Sequence, residues 1–211
     1  MQDIKCVLFD FDGVLCKGRF YEKKLLPEHA DIYDWIQANI FGDSDLAAKW
    51  MRGQVGYRYI NELMAHECGL DAEWLDEKLV SSVRLMELEQ KVLDYAIRLK
   101  RTGLKVGLVT DNMDVFTLVT VPHKRLGDIF DVILNSADVG LLKKDEGGRI
   151  FDIALGRLGI SDYSGCVIVD DSKRNVDAFM RKGGIGLQYS SPDDLQALDP
   201  CLAAVQSSKK F

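Results

Sequence analysis

The 211-residue sequence has no apolar stretch near the ~20 residues that a helix needs to cross a bilayer. Its opening, Met1–Phe11, also lacks the basic start and long apolar core of a signal peptide. The mature chain is accordingly expected to start at Met1, with no membrane as partner. Cysteine is scarce. Cys6, Cys16, Cys68, Cys166 and Cys201 are odd in number, scattered and without C-x-x-C spacing, which argues against a disulfide framework or a zinc site and points to the cytoplasm. Cys6 and Cys166 fall inside apolar runs, where a free thiol behaves as a small hydrophobe. His29, His66 and His123 share no metal-ligand spacing, and His66-Glu67 lacks the second histidine of a zincin helix. There is no long Lys/Arg run either. With 27 Lys+Arg against 33 Asp+Glu the formal net charge is −6, a poor match for nucleic acid or an anionic membrane surface. Repeats, low-complexity tracts and Pro- or Ser-rich linkers are missing too, so the length suits one domain, or one domain carrying a sizeable insertion.

What is present is a rhythm of short apolar runs. Cys6-Val7-Leu8-Phe9, Val106-Gly107-Leu108-Val109, Val132-Ile133-Leu134 and Cys166-Val167-Ile168-Val169 are nearly unbroken in apolarity, as strands covered on both faces must be. A weaker fifth run is Ile185-Gly186-Leu187-Gln188-Tyr189, introduced by Gly183-Gly184 as a helix terminator. Because Gly183-Gly184-Ile185-Gly186 precedes a strand and opens no helix, it is not a dinucleotide fingerprint. Helical patterns fall between the runs at Asp114–Arg125, interrupted or ended by Pro122, at Ile150–Leu158 and at Asn175–Arg181. Alternation of strand and helix implies an α/β fold: a Rossmann-like, doubly wound parallel sheet.

Two stretches break the rhythm. Residues 16–86 show no convincing strand but several amphipathic segments, Asp31–Ile40, Tyr57–Glu67 and Asp71–Val83. An insertion of that size after the first strand is expected to form a helical cap subdomain over the ligand-binding edge, leaving residues 1–15 and 87–211 as the core. Trp35, Trp50 and Trp74 all fall in it and read as its packing; Arg19, Arg52 and Arg58 read as solvated arginines within reach of an anionic substrate. The tail from Ser190 is read as a short helix before residues 206–211 fray.

In an open α/β sheet, ligands bind beyond the carboxyl ends of the strands. There the sequence places Asp10-Phe11-Asp12-Gly13, Thr110-Asp111-Asn112 and Asp170-Asp171-Ser172, with Lys143-Lys144 in the loop after the third strand. Carboxylates converging on one rim repel unless a cation sits among them, and hard oxygen donors with room for phosphate suit Mg²⁺. Asp10 can serve as metal ligand and as a nucleophile on phosphorus; Asp12, two residues on, can act as general acid and base. Thr110 and the amides of Asp111 and Asn112 are placed to bind phosphoryl oxygens, and a lysine to neutralise the transferred group. Each piece alone has a plainer reading, since Asp-Gly is a common turn and Asp and Ser are common helix caps. Together they form a constellation.

The order Asp10-x-Asp12-Gly13, Thr110, Lys143, Asp170-Asp171 resembles the haloacid dehalogenase-like superfamily. The resemblance implies a Rossmann-like core, Mg²⁺ dependence, Asp10 as nucleophile, Asp12 as acid/base with its carbonyl on the metal, Asp171 as metal ligand and Asp170 as support through water. Residues 16–86 are similar in place and size to that family's small helical cap. Where many relatives read Gly-x-x-Lys-Pro, this chain reads Gly140-Leu141-Leu142-Lys143-Lys144, which favours Lys143 by register but leaves Lys144 open. The expected activity is hydrolysis of a small phosphorylated metabolite, such as a sugar phosphate, through an aspartyl-phosphate. Metal-independent dehalogenation and phosphomutase chemistry are the alternatives on the same fold; a non-enzymatic phospho-acceptor module fits neither the chain order nor the insertion.

Overall fold

A computed structural model describes residues 4–22 and 24–199. All five apolar runs form strands: β1 (Cys6–Phe9), β2 (Lys105–Thr110), β3 (Val132–Asn135), β4 (Cys166–Asp170) and β5 (Ile185–Gln188). They join in one parallel sheet of order β3-β2-β1-β4-β5. Register explains their composition. Phe9 lies opposite both Leu108 and Val169, while side chains alternate between the two faces. Val7, Phe9, Val106, Leu108, Val167 and Val169 belong to one core, and Cys6, Leu8, Val109, Leu134, Cys166 and Ile168 to the other. Both faces are dry, so no strand can alternate apolar with polar.

The helices are α1 (Ala30–Ile36), α2 (Ser44–Met51), α3 (Tyr57–Cys68), α4 (Ala72–Leu85), α5 (Gln90–Arg101), α6 (Val121–His123), α7 (Ser136–Val139), α8 (Arg149–Arg157) and α9 (Lys173–Arg181). On one face of the sheet, α5 contributes Val92, Ala96 and Leu99 to the first core. On the other, α8 and α9 contribute Phe151, Leu155 and Phe179 to the second. This is the doubly wound α/β architecture. Within the expected helix 114–125, Phe116–Thr120 takes wider turns in which the Val121 amide donates to the Phe116 carbonyl five residues back. Pro122 then sits in the first turn of α6, where its missing N–H costs nothing, and the helix stops at His123. Pro122 therefore permits a short final turn. The expected helix in the tail is a 3₁₀ segment, Pro192–Leu198, opened by a Ser191–Asp194 capping box; residues 206–211 lie outside the described residues.

Four helices, α1 to α4, occupy the long stretch between β1 and α5; α2 was not expected from the sequence. Asp43 caps it, accepting from the Asp45 and Leu46 amides. Two core loops carry carboxylates that hold this helical stretch in place. Asp114 accepts from Trp50 Nε1 at 2.8 Å and from the Tyr57 amide, and Asp145 receives a two-pronged bond from Arg52, 2.8 and 2.9 Å. Arg52, read as solvated, is thus a half-buried anchor. Among the described residues no helix is long and apolar enough to cross a membrane.

Gly107 shows how tightly the sheet is covered. A Cβ there would lie 2.6 Å from Leu8 Cδ2 and 2.8 Å from Val132 Cγ1. Gly107→Ala is expected to destabilise the fold by about 1–3 kcal/mol through overpacking, seen as a lower urea midpoint with an unchanged slope; an unchanged midpoint would show that the two side chains yield freely.

Candidate active site

The parallel register brings Asp10, Thr110 and Asp170 to one rim, at the carboxyl ends of β1, β2 and β4. Immediately after β1 the chain turns back on itself: the Cys16 amide donates to the Phe11 carbonyl at 2.9 Å and the Gly13 amide to the Cys16 carbonyl at 2.8 Å. Gly13 has φ +78°, and any side chain there would strike the Asp171 carboxylate. Only glycine lets the Asp10 loop approach the Asp171 loop so closely.

At the centre is a lysine without solvent exposure. Lys143 Nζ lies 2.6 Å from Asp10 Oδ2 and 2.7 Å from Asp170 Oδ2. Lys144, by contrast, is exposed, so the structure places Lys143, not its neighbour, on the rim. Burial favours the neutral amine, but the Asp10 and Asp170 carboxylates outweigh it and hold Lys143 protonated, its pKa above the ordinary value. Asp10 is pushed well above the usual carboxylate range by burial, against the pull of Lys143. Its Oδ1 accepts from the Phe11 amide at 2.7 Å. Asp170 accepts from the Ser172 amide and from Asn175 Nδ2 at 3.1 Å, so α9 fixes it through a side chain one turn in. Asn175 went unnoticed in the sequence, where an Asn three residues after Ser172 carries no signal of its own.

Asp10, Asp170 and Asp171 can bring three carboxylate oxygens within 4.8 Å of one another. One ammonium cannot balance three such charges, and burial together with Asp170 pushes Asp171 upward as well. Hard, converging oxygen donors with a charge deficit fit a divalent cation such as magnesium. Asp12 stands apart from this trio. Its carboxylate accepts from Asn112 Nδ2 at 3.0 Å, and burial raises its pKa to about 6 against the pull of Arg19 and Lys143.

The β2 turn differs in part from expectation. Thr110 Oγ1 is buried and, among the described residues, has no hydrogen-bond partner, leaving a hydroxyl free to donate to a bound group. The Asn112 amide, expected to face a phosphoryl oxygen, instead donates to Ser136 Oγ at 2.9 Å, because α7 starts directly beneath it. At this rim it is the Asn112 side chain that meets Asp12. Asp111, its pKa raised by burial, turns its carboxylate to the Lys143 amide at 2.8 Å and so steadies the lysine loop. His66 is exposed and pairs with Glu67, while His29 packs edge-on against Trp74; neither reaches the rim.

A family model for haloacid dehalogenase-like hydrolases matches residues 4–181. A 72-residue segment is 32% identical to the pyrimidine 5'-nucleotidase YjjG of Escherichia coli (strain K12), covering 34% of this chain and 31% of that protein. The chain thus spans about a third of the length of that curated relative. Among solved structures, a HAD-like family hydrolase from Porphyromonas gingivalis superposes with a TM-score of 0.69 at 19% identity, covering 96% of this chain and 98% of the other. A HAD family enzyme of Bacteroides thetaiotaomicron, solved with magnesium and inorganic phosphate, gives 0.62 at 18% identity over 87% and 92%. A 2-haloacid dehalogenase from Pseudomonas syringae pv. Tomato gives 0.62 at 22% identity over 95% and 99%. At these identities the structures speak for the fold alone. The extent of the sequence match decides membership: this chain belongs to the haloacid dehalogenase-like hydrolases.

Proposed function

We propose that the chain is a Mg²⁺-dependent phosphatase of small phosphorylated metabolites, working through a phosphoryl group carried on Asp10. The observation that carries this reading is the second carboxylate. Asp12 is held by Asn112 beside the Asp10 loop with its pKa at about 6, where it can both give and take a proton near neutrality. Dehalogenation, in which Asp10 would attack carbon and release halide, needs no such acid; breaking a phosphate ester does.

In this reading an Asp10 oxygen attacks phosphorus and the ester P–O bond breaks, with the Asp12 proton passing to the departing alkoxide. Asp12, now a carboxylate, takes a proton from water as that water attacks the phosphorus. The Asp10–phosphorus bond breaks, inorganic phosphate leaves, and Asp10 and protonated Asp12 are restored. Lys143 keeps Asp10 paired and offsets charge on the transferred group, and Thr110 Oγ1 donates to a phosphoryl oxygen. The carboxylates of Asp10 and Asp171, supported by Asp170, would hold Mg²⁺, which when bound supplies charge neutralisation for the phosphoryl oxygens. The magnesium and phosphate in the Bacteroides structure and the nucleotidase relative support a small phosphorylated substrate. Residues 16–86 are proposed to be the cap that closes over this rim, anchored through Asp114 and Asp145. The free thiols Cys6, Cys16, Cys68 and Cys166 support a cytoplasmic setting.

Asp10→Asn preserves shape and leaves Lys143 paired with Asp170. It is expected to lower phosphate release from an aryl phosphate at least ~10³-fold while circular dichroism stays that of the wild type; retained turnover removes Asp10 from the mechanism. A chelator is expected to abolish phosphate release and added Mg²⁺ to restore it. Activity on a 2-haloacid that survives chelation would instead establish the dehalogenase. Product analysis in the presence of an acceptor alcohol separates hydrolysis from transfer to a second hydroxyl.

A further inference from the structure

Two chambers meet at Asp12. One, a cavity of about 440 Å³, is bounded by Asp10, Gly13, Lys17 and Asp171, the carboxylate rim itself. The other, about 230 Å³, is walled by Phe11, Phe116, Phe20, Phe41, Met51 and Met86. Among the described residues, only Asp12, Gly18 and Arg19 border both. The second chamber draws its walls from the β1 loop, from the turn after β2 and from the helical stretch before α5, so it is a seam between elements. Its rings are fixed in edge-on contact: Phe11 with Phe116 at 4.8 Å, Phe20 with Trp50 at 5.6 Å.

Asp12, Arg19, Asp111, Asn112 and Thr120 supply the polar side chains bordering this chamber, and among them Asp12, Asp111 and Asn112 are already engaged. Asn112 donates to Asp12 and accepts from the Met113 amide; Asp111 accepts from the Lys143 amide. A sugar entering there would bury several hydroxyls against phenyl rings and thioethers, each unpaired hydroxyl weakening binding. An aromatic ring would lose nothing. The volume exceeds the roughly 150 Å³ of an apolar cavity that admits benzene.

Resting on the phosphatase reading, we infer that the phosphomonoester cleaved here carries an apolar, planar leaving group, an aryl or arylalkyl alcohol, seated in the phenylalanine-walled chamber while its phosphate occupies the carboxylate rim. The position of Asp12 makes the two halves one site. With phosphorus on the Asp10 side and the ring on the Phe116 side, the bridging oxygen falls at the junction, where Asp12 stands to protonate it. Such a substrate has the opposite polarity to the sugar phosphate expected from the sequence.

The test compares benzyl phosphate, whose leaving alcohol is about as poor as a sugar hydroxyl, with glucose 6-phosphate and uridine 5'-monophosphate, all with Mg²⁺ and the full chain. Benzyl phosphate is expected to show a kcat/KM about 10- to 100-fold above either, the size of one buried ring, with the difference mainly in KM. Equal or better turnover of the sugar or the nucleotide overturns the inference. Met51→Trp, which narrows the chamber, and Phe41→Ser, which makes it polar, are each expected to lower the ratio of benzyl phosphate to acetyl phosphate kcat/KM by at least about 10-fold; the ratio cancels any loss of folded protein, and an unmoved ratio in both variants overturns the inference. Titration with benzylphosphonate and methylphosphonate separates binding in the apolar chamber from phosphatase chemistry at the rim. If no ester is hydrolysed but benzylphosphonate binds at least about 10-fold tighter, the apolar chamber stands and the phosphatase reading falls. If esters are hydrolysed without preference and both phosphonates bind alike, the reading stands and the chamber is not a subsite.

Discussion

Everything on the rim is arranged around a lysine ammonium held out of solvent between two carboxylates. Lys143 Nζ touches Asp10 and Asp170 at 2.6 and 2.7 Å, with no part of the side chain exposed. Taking such charges out of water costs several kcal/mol per ion, and mutual attraction compensates only when the geometry is held and the remaining donors and acceptors are met. The chain meets those conditions from four directions. Asn175 and the Ser172 amide hold Asp170, the Phe11 amide holds Asp10, and Asp111 holds the Lys143 amide. Asp145 adds the Leu142 amide and, through Arg52, ties the same loop to α2. The lysine loop thus links sheet, α9 and helical stretch.

One lysine is still two charges short of three carboxylates. Asp171 joins Asp10 and Asp170 within reach of a single ion, and Gly13, bare of side chain, brings the β1 loop up against Asp171. A rim that spends so much burial on carboxylates yet supplies one ammonium is stable as an ensemble of charges only if protons or a second cation make up the difference. The upward shifts of Asp10 and Asp171 express that shortage in the protein alone. A divalent ion relieves it without consuming the carboxylates a nucleophile needs.

The sheet was legible because strands covered on both faces must be apolar almost without interruption, as the first four runs are, whereas the fifth, whose strand ends in the exposed Gln188, carried a weaker signal. Their order in the sheet brings the carboxyl ends of β1, β2 and β4 side by side, so Asp10, Thr110 and Asp170 could be assigned to one rim from spacing alone. What spacing could not reach were the residues that act across the chain. Asn175 serves Asp170, Asn112 serves Asp12 through its side chain, and Ser136 takes the amide that was expected to bind phosphate. The choice between Lys143 and Lys144 was of the same kind: adjacent residues in a loop point in different directions, and only the packing of Leu142 and Lys143 into the interior selects one. Helix α2 escaped notice because Ser44–Met51 is short and takes its start from the Asp43 cap, not from a long apolar stripe.

The helical stretch also changes what the rim can be asked to do. Under the proposed phosphatase reading, carboxylates, lysine and threonine say nothing of what the phosphate is attached to. That information lies in Phe20, Phe41, Met51 and Met86, which face the Asp12 side of the rim from outside the motifs. Helical periodicity marks such residues as core, and Trp50 and Ile40, fully buried nearby, are core. Phe20, Phe41 and Met51, by contrast, are only partly buried and line the chamber that Asp12 also borders. Apolar side chains left around a cavity give up contacts that close packing would have supplied. A ring bound there would restore them. The same cavity that costs the free protein packing energy would therefore supply binding energy to the right leaving group, and would place that energy one oxygen away from the proton on Asp12.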